Sequence, residues 1–342
     1  MSTLAVVDDP RFALHRATGP HPERPERLDA ARAGLARAAG AFAPVPTTVR
    51  AASPEELCRV HDPAYCEALA QKAGGRGYLD EDTYYGPDSV ESARVAAGSS
   101  IELVSTLLDG RARAGVALVR PPGHHARPKA AMGFCLLNNV AIAAAHARAR
   151  GARRVAIVDF DVHHGNGTQE MFYADPSVLF VSLHQFPFYP GTGAAAETGR
   201  GEGEGFTVNV PLSAGADDAV YRAAFDRLVL PVVEQFAPEL LLVSAGFDAH
   251  ASDPLASMRL SRDAYGFMTR RLRAVVGQAA PMALILEGGY DLAALSDSLE
   301  QAVTGMMDDL PEPALPSPRL SPAHSADLDR ARAAASAHWR LD

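Results

Sequence analysis

Cysteine is scarce in this sequence of 342 residues, which contains only Cys58, Cys66 and Cys135. An odd and sparse set of cysteines without a Cys-x-x-Cys pair does not build a disulfide framework. The simplest interpretation is a reducing compartment, so we expect a cytoplasmic protein.

Positive charge is also scarce, because 41 acidic residues outnumber 32 lysines and arginines and give a formal net charge of −9. Broad nucleic-acid binding depends on lysines and arginines that neutralise phosphates, so this balance argues against a nucleic-acid partner. The same negative charge is compatible with a cationic substrate.

Long apolar runs are missing as well. No stretch approaches the roughly 18 apolar residues of a membrane-spanning helix, and the first residues lack the basic and apolar regions of a signal peptide. We therefore expect no membrane association. Hydrophobic residues still make up 47% of the chain, enough for a sizeable core, and the Ala- and Arg-rich segments are typical of a high-GC bacterial source.

The middle of the chain alternates short apolar runs with helical patterns. Runs of Val, Leu and Ile predict buried strands at residues 115–119, 153–162, 177–184, 205–212, 239–248 and 282–291. Such strands with helices between them indicate a parallel sheet that is covered on both faces. We predict a single-domain α/β fold with a mostly parallel central sheet of about eight strands.

The two ends of the chain differ from this middle. The N-terminal part has a helical and loop-rich pattern, with a predicted helix over 25–40 and a surface loop over 74–88. Towards the C-terminus the chain becomes rich in Pro, Ser and Ala. We predict one domain over residues 1–310 and a C-terminal tail over 311–342 with a short helix over 323–339.

Polar and glycine-rich segments follow nearly every predicted strand. These segments are RPPGHH, DFDVHHGNG, SLHQ, AGFDAH and EGGYD. In open α/β sheets, ligands bind just outside the carboxyl ends of the strands. We therefore expect polar groups from five separate segments to converge on one crevice.

One of these segments contains candidate metal ligands. Alternate residues of an extended chain point to the same side, so Asp159, Asp161 and His163 share one face. Asp161 and His163 can bind one ion, and Asp248 completes three ligands while leaving a position for water, as a catalytic zinc site requires. Asp248 taken alone would more simply be a helix N-cap. The oxygen-rich ligand set also leaves iron(II) or cobalt open.

Two other segments offer groups for acid–base chemistry. His124 and His125 follow a rigid Pro-Pro-Gly turn and form a candidate general acid/base pair. Tyr290 follows two glycines that permit close backbone approach, and its hydroxyl can donate a hydrogen bond to an oxyanion. Each of these residues alone would be interpreted as structural, but their joint occurrence with the metal set disfavours that interpretation. Two carboxylates weaken the power of a metal to acidify water, so such a site needs this help.

Together the motifs resemble the zinc-dependent histone deacetylase superfamily, which also contains acetylpolyamine amidohydrolases and has an arginase-like α/β fold. The resemblance extends from about Asp8 to Leu310 and looks closest to the class II branch and its bacterial relatives. The motifs, in family order, are HPERPER (21–27), RPPGHHA (120–126), GFCLLNN (133–139), DFDVHHGNGT (159–168), SLHQ (182–185), AGFDAH (245–250) and EGGYD (286–291).

This resemblance implies an activity, namely zinc-dependent hydrolysis of an acyl-amine amide such as acetyl-lysine by an attacking water. It implies zinc on Asp161, His163 and Asp248. Tyr290 would polarise the scissile carbonyl and then hold the oxyanion.

The resemblance also assigns roles within the histidine pair. His125 would be the proton shuttle, acting as base for the water and then as acid for the leaving amine. His124 would act mainly electrostatically. Asp159 would hydrogen-bond His124, and Asn166 would orient His125.

A structural potassium ion, a substrate channel and an exit cavity are further implications of the resemblance. The implied potassium ligands are Asp159, the backbone carbonyls of Asp161, His163 and Leu183, and the hydroxyl of Ser182. The implied channel residues are Gly133, Phe134, Tyr189 and Gly289. The implied residues of the cavity for acetate release are Arg27 and Cys135.

Two departures from the family pattern bear on the substrate. Tyr189 stands where most members have Phe, and Tyr85 falls about where class I members carry an Asp that grips the substrate backbone. The acidic loop at residues 80–82 either attracts polyamine cations or is simply a solvated surface loop. The lack of a long dimer-forming insertion near this loop favours a broader deacylase that acts on acylated lysine or a small acylated amine. The oligomeric state, dimer or tetramer, stays open.

Two alternatives to a deacetylase follow from the same residues. The first is a pseudoenzyme that binds acylated ligands without cleaving them, although all the proposed catalytic residues are present. The second is an arginase-like enzyme with two manganese ions, which would need a larger set of carboxylates than this chain supplies.

Overall fold

A computed structural model of the chain describes residues 3–277, 279–307 and 320–341. The strands in chain order are β1 (Thr3–Val7), β2 (Ala43–Pro46), β3 (Gly77–Tyr78), β4 (Tyr84–Tyr85), β5 (Ala114–Ala117), β6 (Val155–Asp159), β7 (Val178–Gln185), β8 (Thr207–Leu212), β9 (Leu240–Ala245) and β10 (Met282–Leu286). Eight of them form one sheet in the order β2-β1-β5-β10-β9-β6-β7-β8, in which every neighbouring pair is parallel.

The helices in chain order are α1 (Glu26–Arg37), α2 (Pro54–Leu57), α3 (Pro63–Ala70), α4 (Ser89–Leu108), α5 (Asn139–Ala149), α6 (Asn166–Phe172), α7 (Asp218–Ala224), α8 (Leu230–Phe236), α9 (Arg262–Val276), α10 (Leu292–Met307) and α11 (Pro322–Ala335). One layer contains α4 and α5, and another contains α1, α10, α9 and α8. No helix within the described ranges is both long and apolar enough to cross a membrane.

The central strands are apolar throughout because both faces of the sheet are covered. Every residue of β6, β7, β9 and β10 is buried. Continuous Val, Leu and Ile runs are typical of parallel strands between two helical layers. The predicted α/β class with a parallel sheet of eight strands is therefore confirmed.

The sequence-based prediction missed two strands of the central sheet, both in the N-terminal part. The edge strand β2 has the sequence APVP, and its two prolines lower its resemblance to a strand. Proline is tolerated there because an edge strand does not need all its N–H groups for the ladder. Strand β1 is only five residues long and is recognisable chiefly by its pairing with β2 and β5.

Two local predictions were only partly right. The helix predicted over 25–40 is α1, followed by a short 3-10 turn at Ala38–Ala41. The loop predicted over 74–88 contains the small antiparallel pair of β3 and β4. Tyr84 within it is buried, so the segment is not simply a surface loop.

The last helix, α11, packs against the edge strand β8. Leu328 is buried in this contact, and the buried carboxylate of Asp327 accepts a hydrogen bond from Ser213 N at 2.8 Å. Trp339, beyond the helix, donates from Nε1 to the carbonyl of Gly205 at 2.8 Å. The predicted boundary between residues 310 and 311 lies outside the described residues, so the division into domain and tail stays a prediction.

Candidate active site

Four neighbouring strands bring the predicted site residues to one edge of the sheet. The strands β5, β10, β9 and β6 are adjacent and parallel, so their carboxyl ends lie side by side. The segments that follow them are the same polar segments that the sequence singles out. The expected convergence on one crevice is what this topology produces.

Three buried side chains form a group with the geometry of a metal site. One ligand atom from each of Asp161, His163 and Asp248 lies within 4.8 Å of the others. His163 Nδ1 is 3.2 Å from Asp161 Oδ1 and 3.2 Å from Asp248 Oδ2. Asp248 Oδ2 is buried and takes part in no hydrogen bond. Such an oxygen needs a positive partner, because an uncompensated buried carboxylate oxygen is costly.

The charge balance of this group also fits a cation. Burial disfavours a charged imidazole, but the adjacent carboxylates of Asp161 and Asp248 raise the pKa of His163 to about 10. A proton on this imidazole therefore lies between the same groups that would bind a divalent ion. With the proton removed, those groups are two carboxylates and a neutral nitrogen. The donor set of two oxygens and one nitrogen suits zinc, iron(II) or cobalt(II).

Glycines let the backbone approach the two carboxylates closely. A Cβ on Gly246 would lie 2.0 Å from Asp161 Oδ2, and one on Gly288 would lie 2.2 Å from Asp248 Oδ2. Gly288 N donates to Asp161 Oδ2 at 2.8 Å, and Val162 N donates to Asp248 Oδ1 at 2.9 Å. The main chain therefore orients both carboxylates.

The two histidines of the Pro-Pro-Gly turn lie beside this group. Their ring centroids are 4.0 Å apart, and the His125 ring is 5.9 Å from the His163 ring. His124 Nδ1 bonds to Asp159 Oδ2 at 2.9 Å, and His125 Nδ1 bonds to Asn166 Oδ1 at 2.8 Å. Both partnerships that the family resemblance implies are therefore present.

The environment drives the pKa values of the two imidazoles apart. Burial lowers the pKa of His124, but the carboxylates of Asp161 and Asp159 outweigh burial and hold it well above its usual value. Burial and the neighbouring His124 hold the pKa of His125 well below its usual value. A charged and a neutral imidazole side by side can act as an electrostatic group and a base.

Aromatic rings contact three of the candidate site residues, His125, His163 and Tyr290. The Tyr189 ring meets the His125 ring edge-on at 5.2 Å, and the Phe134 ring meets the Tyr290 ring edge-on at 5.9 Å. Phe188, which the sequence analysis did not single out, stacks on His163 at 5.6 Å. Tyr189 is 36% exposed, so this wall reaches the surface.

Gly133 is required where the chain passes His125. It has a φ of 54°, and a Cβ built on it would lie 2.4 Å from His125 Cδ2. A glycine supplies both the left-handed backbone and the missing atom. This explains why a glycine directly precedes Phe134 in the GFCLLNN segment.

The backbone of Tyr290 is held by a carboxylate that the sequence analysis missed, that of Asp253. Asp253 Oδ2 accepts from Tyr290 N at 2.6 Å and from Asp291 N at 3.2 Å. Burial and then Asp248 raise the pKa of Tyr290 well above its usual value, so its hydroxyl keeps its proton. The Ser-Asp-Pro sequence around Asp253 indicates a turn but not this partner.

The two residues assigned to an exit cavity are buried next to the catalytic segments. Arg27 Nε donates to Gly289 O at 2.6 Å, and its guanidinium lies 5.0 Å from the centroid of the Tyr290 ring. Arg27 also pairs with the buried Glu23 at 3.0 Å. Cys135 Sγ is 3.3 Å from Gly133 O. Their role in acetate release stays a prediction.

The residues assigned to potassium lie at the same edge of the sheet. Asp159 and Ser182 face each other in the register of β6 and β7. Ser182 Oγ is 3.0 Å from His184 Nδ1, and Leu183 is buried beside it. Tyr85, by contrast, lies in the small hairpin, where it pairs with Gly77.

The fold and this group of side chains define a class of protein, a parallel α/β protein whose buried Asp–His–Asp group can hold a metal ion. The histone deacetylase domain model matches residues 21–306. The chain therefore belongs to the histone deacetylase family.

Individual relatives agree with this assignment. Histone deacetylase 15 of Arabidopsis thaliana is 44% identical over 92% of this chain and 58% of its own length. The human polyamine deacetylase HDAC10 is 42% identical over 99% of this chain and 51% of its own length. The crystal structure of the HDA15 HD domain superposes with a TM-score of 0.91 at 41% identity, over 99% of this chain and 95% of the domain. The chain thus spans about half the length of these plant and human relatives.

Proposed function

We propose that this protein is a zinc-dependent deacetylase that hydrolyses the amide of an acylated primary amine, of the acetyl-lysine type. The observation that carries the proposal is the buried Asp161–His163–Asp248 group, with the His124–His125 pair beside it. A metal held by those three side chains would supply Lewis-acid activation of water and of the substrate carbonyl. Family membership supports deacetylation as the reaction.

His125 is the proton-transferring residue in this proposal. Asn166 accepts from its Nδ1–H, which leaves Nε2 as the basic nitrogen. The low pKa of His125 keeps this nitrogen unprotonated before the reaction. It takes the proton of the attacking water and later delivers it to the leaving amine.

His124 stays charged and acts through its field. Its bond to Asp159 and its 3.7 Å distance to Asp161 hold the proton on the imidazole. A fixed positive charge beside the reacting carbon stabilises the negative charge that develops there. Tyr290 donates its hydroxyl proton in a hydrogen bond to the same oxyanion.

The channel would accept a slender acyl-amine between Phe134 and Tyr189. A flat aromatic wall suits the four methylene groups of lysine, and equally the chain of an acylpolyamine. The human relative named a polyamine deacetylase, 42% identical, makes an acetylpolyamine the second candidate. Potassium bound at Asp159 and Ser182 would support the loop that carries the metal ligands.

Acetate release from zinc-loaded protein tests the proposal. Acetyl-lysine peptide, acetylspermine and acetylputrescine are compared as substrates, with Tyr290→Phe and Asp248→Ala as variants. Tyr221→Phe is the matched control, because the Tyr221 hydroxyl is buried and has no hydrogen-bond partner. We expect the control to keep activity and the other two variants to lose it.

Two results would contradict the proposal. Failure of the wild-type protein to turn over any acyl-amine would favour a binding role without catalysis. Two bound manganese ions per chain would favour arginase-like chemistry. Polyamine rates equal to or above the peptide rate would keep the hydrolase but change the substrate class.

A further inference from the structure

Glu287 is a buried carboxylate that the proposed mechanism does not use. It follows the last residue of β10, and its side chain is fully buried. Its Oε2 accepts from Gly123 N at 2.6 Å and from His124 N at 3.1 Å. Its Oε1 is 3.3 Å from Ser244 Oγ, which donates to it. Both backbone donors belong to the turn that carries the histidine pair.

Burying a carboxylate destabilises the fold unless its hydrogen bonds offset the cost. Burial raises the pKa of Glu287 to about 7, which shows how strongly the site resists a charge there. An apolar side chain would avoid this cost but would leave the N–H groups of Gly123 and His124 buried without an acceptor. The turn is also tightly confined, because a Cβ on Gly123 would lie 2.5 Å from Asn139 N.

The main chain of Glu287 leads directly to the other catalytic segment. Its carbonyl accepts a hydrogen bond from Arg27 Nη2, and the carbonyl of Gly289 accepts one from Arg27 Nε. Tyr290 is the next residue. Glu287 therefore joins the histidine turn, through its side chain, to the segment that presents Tyr290.

We propose that Glu287 is a positioning residue that sets the His124–His125 turn and the Tyr290 segment at a fixed separation. This inference rests on the proposed deacetylase function, since it concerns the geometry of that reaction. In this inference, the Glu of the Glu-Gly-Gly-Tyr segment holds two catalytic elements together. The role requires Glu287 to accept hydrogen bonds and does not require it to be charged.

A pair of substitutions separates acceptance from charge. Glu287→Gln keeps an oxygen for both N–H donors and places its NH₂ group toward Ser244, whose hydroxyl can turn to accept. Glu287→Ala removes the acceptor. Asp327→Asn is the matched control, because Asp327 is also a buried carboxylate that accepts from a backbone N–H, but on α11.

We expect Glu287→Ala to lower kcat about 100-fold, the effect of roughly 1 Å of misplacement, while KM changes less than about threefold. Glu287→Gln should restore kcat to within about threefold of the wild type, and Asp327→Asn should leave it unchanged. Bound metal should stay constant across the set. The imidazole NMR signals of the histidine pair should shift more in Glu287→Ala than in Glu287→Gln, in which only the charge beside His124 is lost.

The inference is overturned if Glu287→Ala keeps its kcat, if Glu287→Gln is as impaired as Glu287→Ala, or if the loss follows loss of metal. If Glu287→Ala does not fold, Glu287→Asp replaces it. The aspartate side chain is shorter by one C–C bond, about 1.5 Å, so its carboxylate would not reach the N–H groups of the turn. An unchanged kcat in Glu287→Asp would therefore also refute the role. A wild type without acetate release would instead refute the proposed function.

Discussion

Substitution of Gly133 by alanine should misplace His125, the proposed proton-transferring residue. The added Cβ would lie 2.4 Å from Cδ2 and 2.8 Å from Cγ of His125. Ordinary carbon contacts begin near 3.5 Å, so one side must move by about 1 Å. Misplacement of that size in a catalytic group costs about 100-fold in rate. The left-handed backbone adds a stability cost of about 1–2 kcal/mol.

The assay compares Gly133→Ala with Gly110→Ala, because Gly110 also has a positive φ, 71°, but a Cβ there would contact nothing within 4 Å. Both variants carry the backbone strain, and only the first carries the clash. We expect Gly133→Ala to lose at least as much stability as Gly110→Ala, and only Gly133→Ala to lose kcat. Equal kcat values in the two variants would refute the claim that His125 must hold its observed position.

Three further predictions follow from the same geometry. Gly246→Ala should abolish tight metal binding, measured by calorimetry, because its Cβ would lie 2.0 Å from Asp161 Oδ2; unchanged affinity would contradict the proposed ligand set. Tyr290→Phe should lower kcat about 100- to 1,000-fold with metal content unchanged, the effect of losing one oxyanion donor. His61 is buried, and burial lowers its pKa to about 4 in the folded protein. As the pH falls below about 6.5, His61 therefore binds a proton in the unfolded chain before it does so in the folded one. Stability should therefore fall by about 3 kcal/mol between pH 6.5 and 4 from this residue, and urea titrations of His61→Asn should lack that part of the slope.

The sequence predicted which residues converge at the candidate site better than it predicted the residues that hold them in place. Alternation along an apolar run predicted a shared side for Asp159, Asp161 and His163, but only Asp159 lies in β6, and the other two follow in the bend after it. Asp248 was harder, because a helix cap would explain it equally well. Only the adjacency of β6 and β9 brings it to the same ion site.

The supporting carboxylates could not be predicted because their partners are distant in the chain. Asp253 accepts from Tyr290, 37 residues away, and Glu287 accepts from Gly123, 164 residues away. Nothing in the local sequence of either residue indicates such a bond. The strands β1 and β2 were missed for a related reason, since their identity as strands depends on pairing within the sheet.

Metal titration tests the central claim most directly. The protein is stripped of metal by a chelator, and zinc is returned stepwise while acetate release from an acetyl-lysine peptide and bound metal are both measured. We predict no turnover by the stripped protein and full recovery at about one zinc per chain, as three protein ligands at a single site require. Turnover by the metal-free protein, or no turnover at any zinc concentration on any acyl-amine, would contradict a metal-dependent deacetylase.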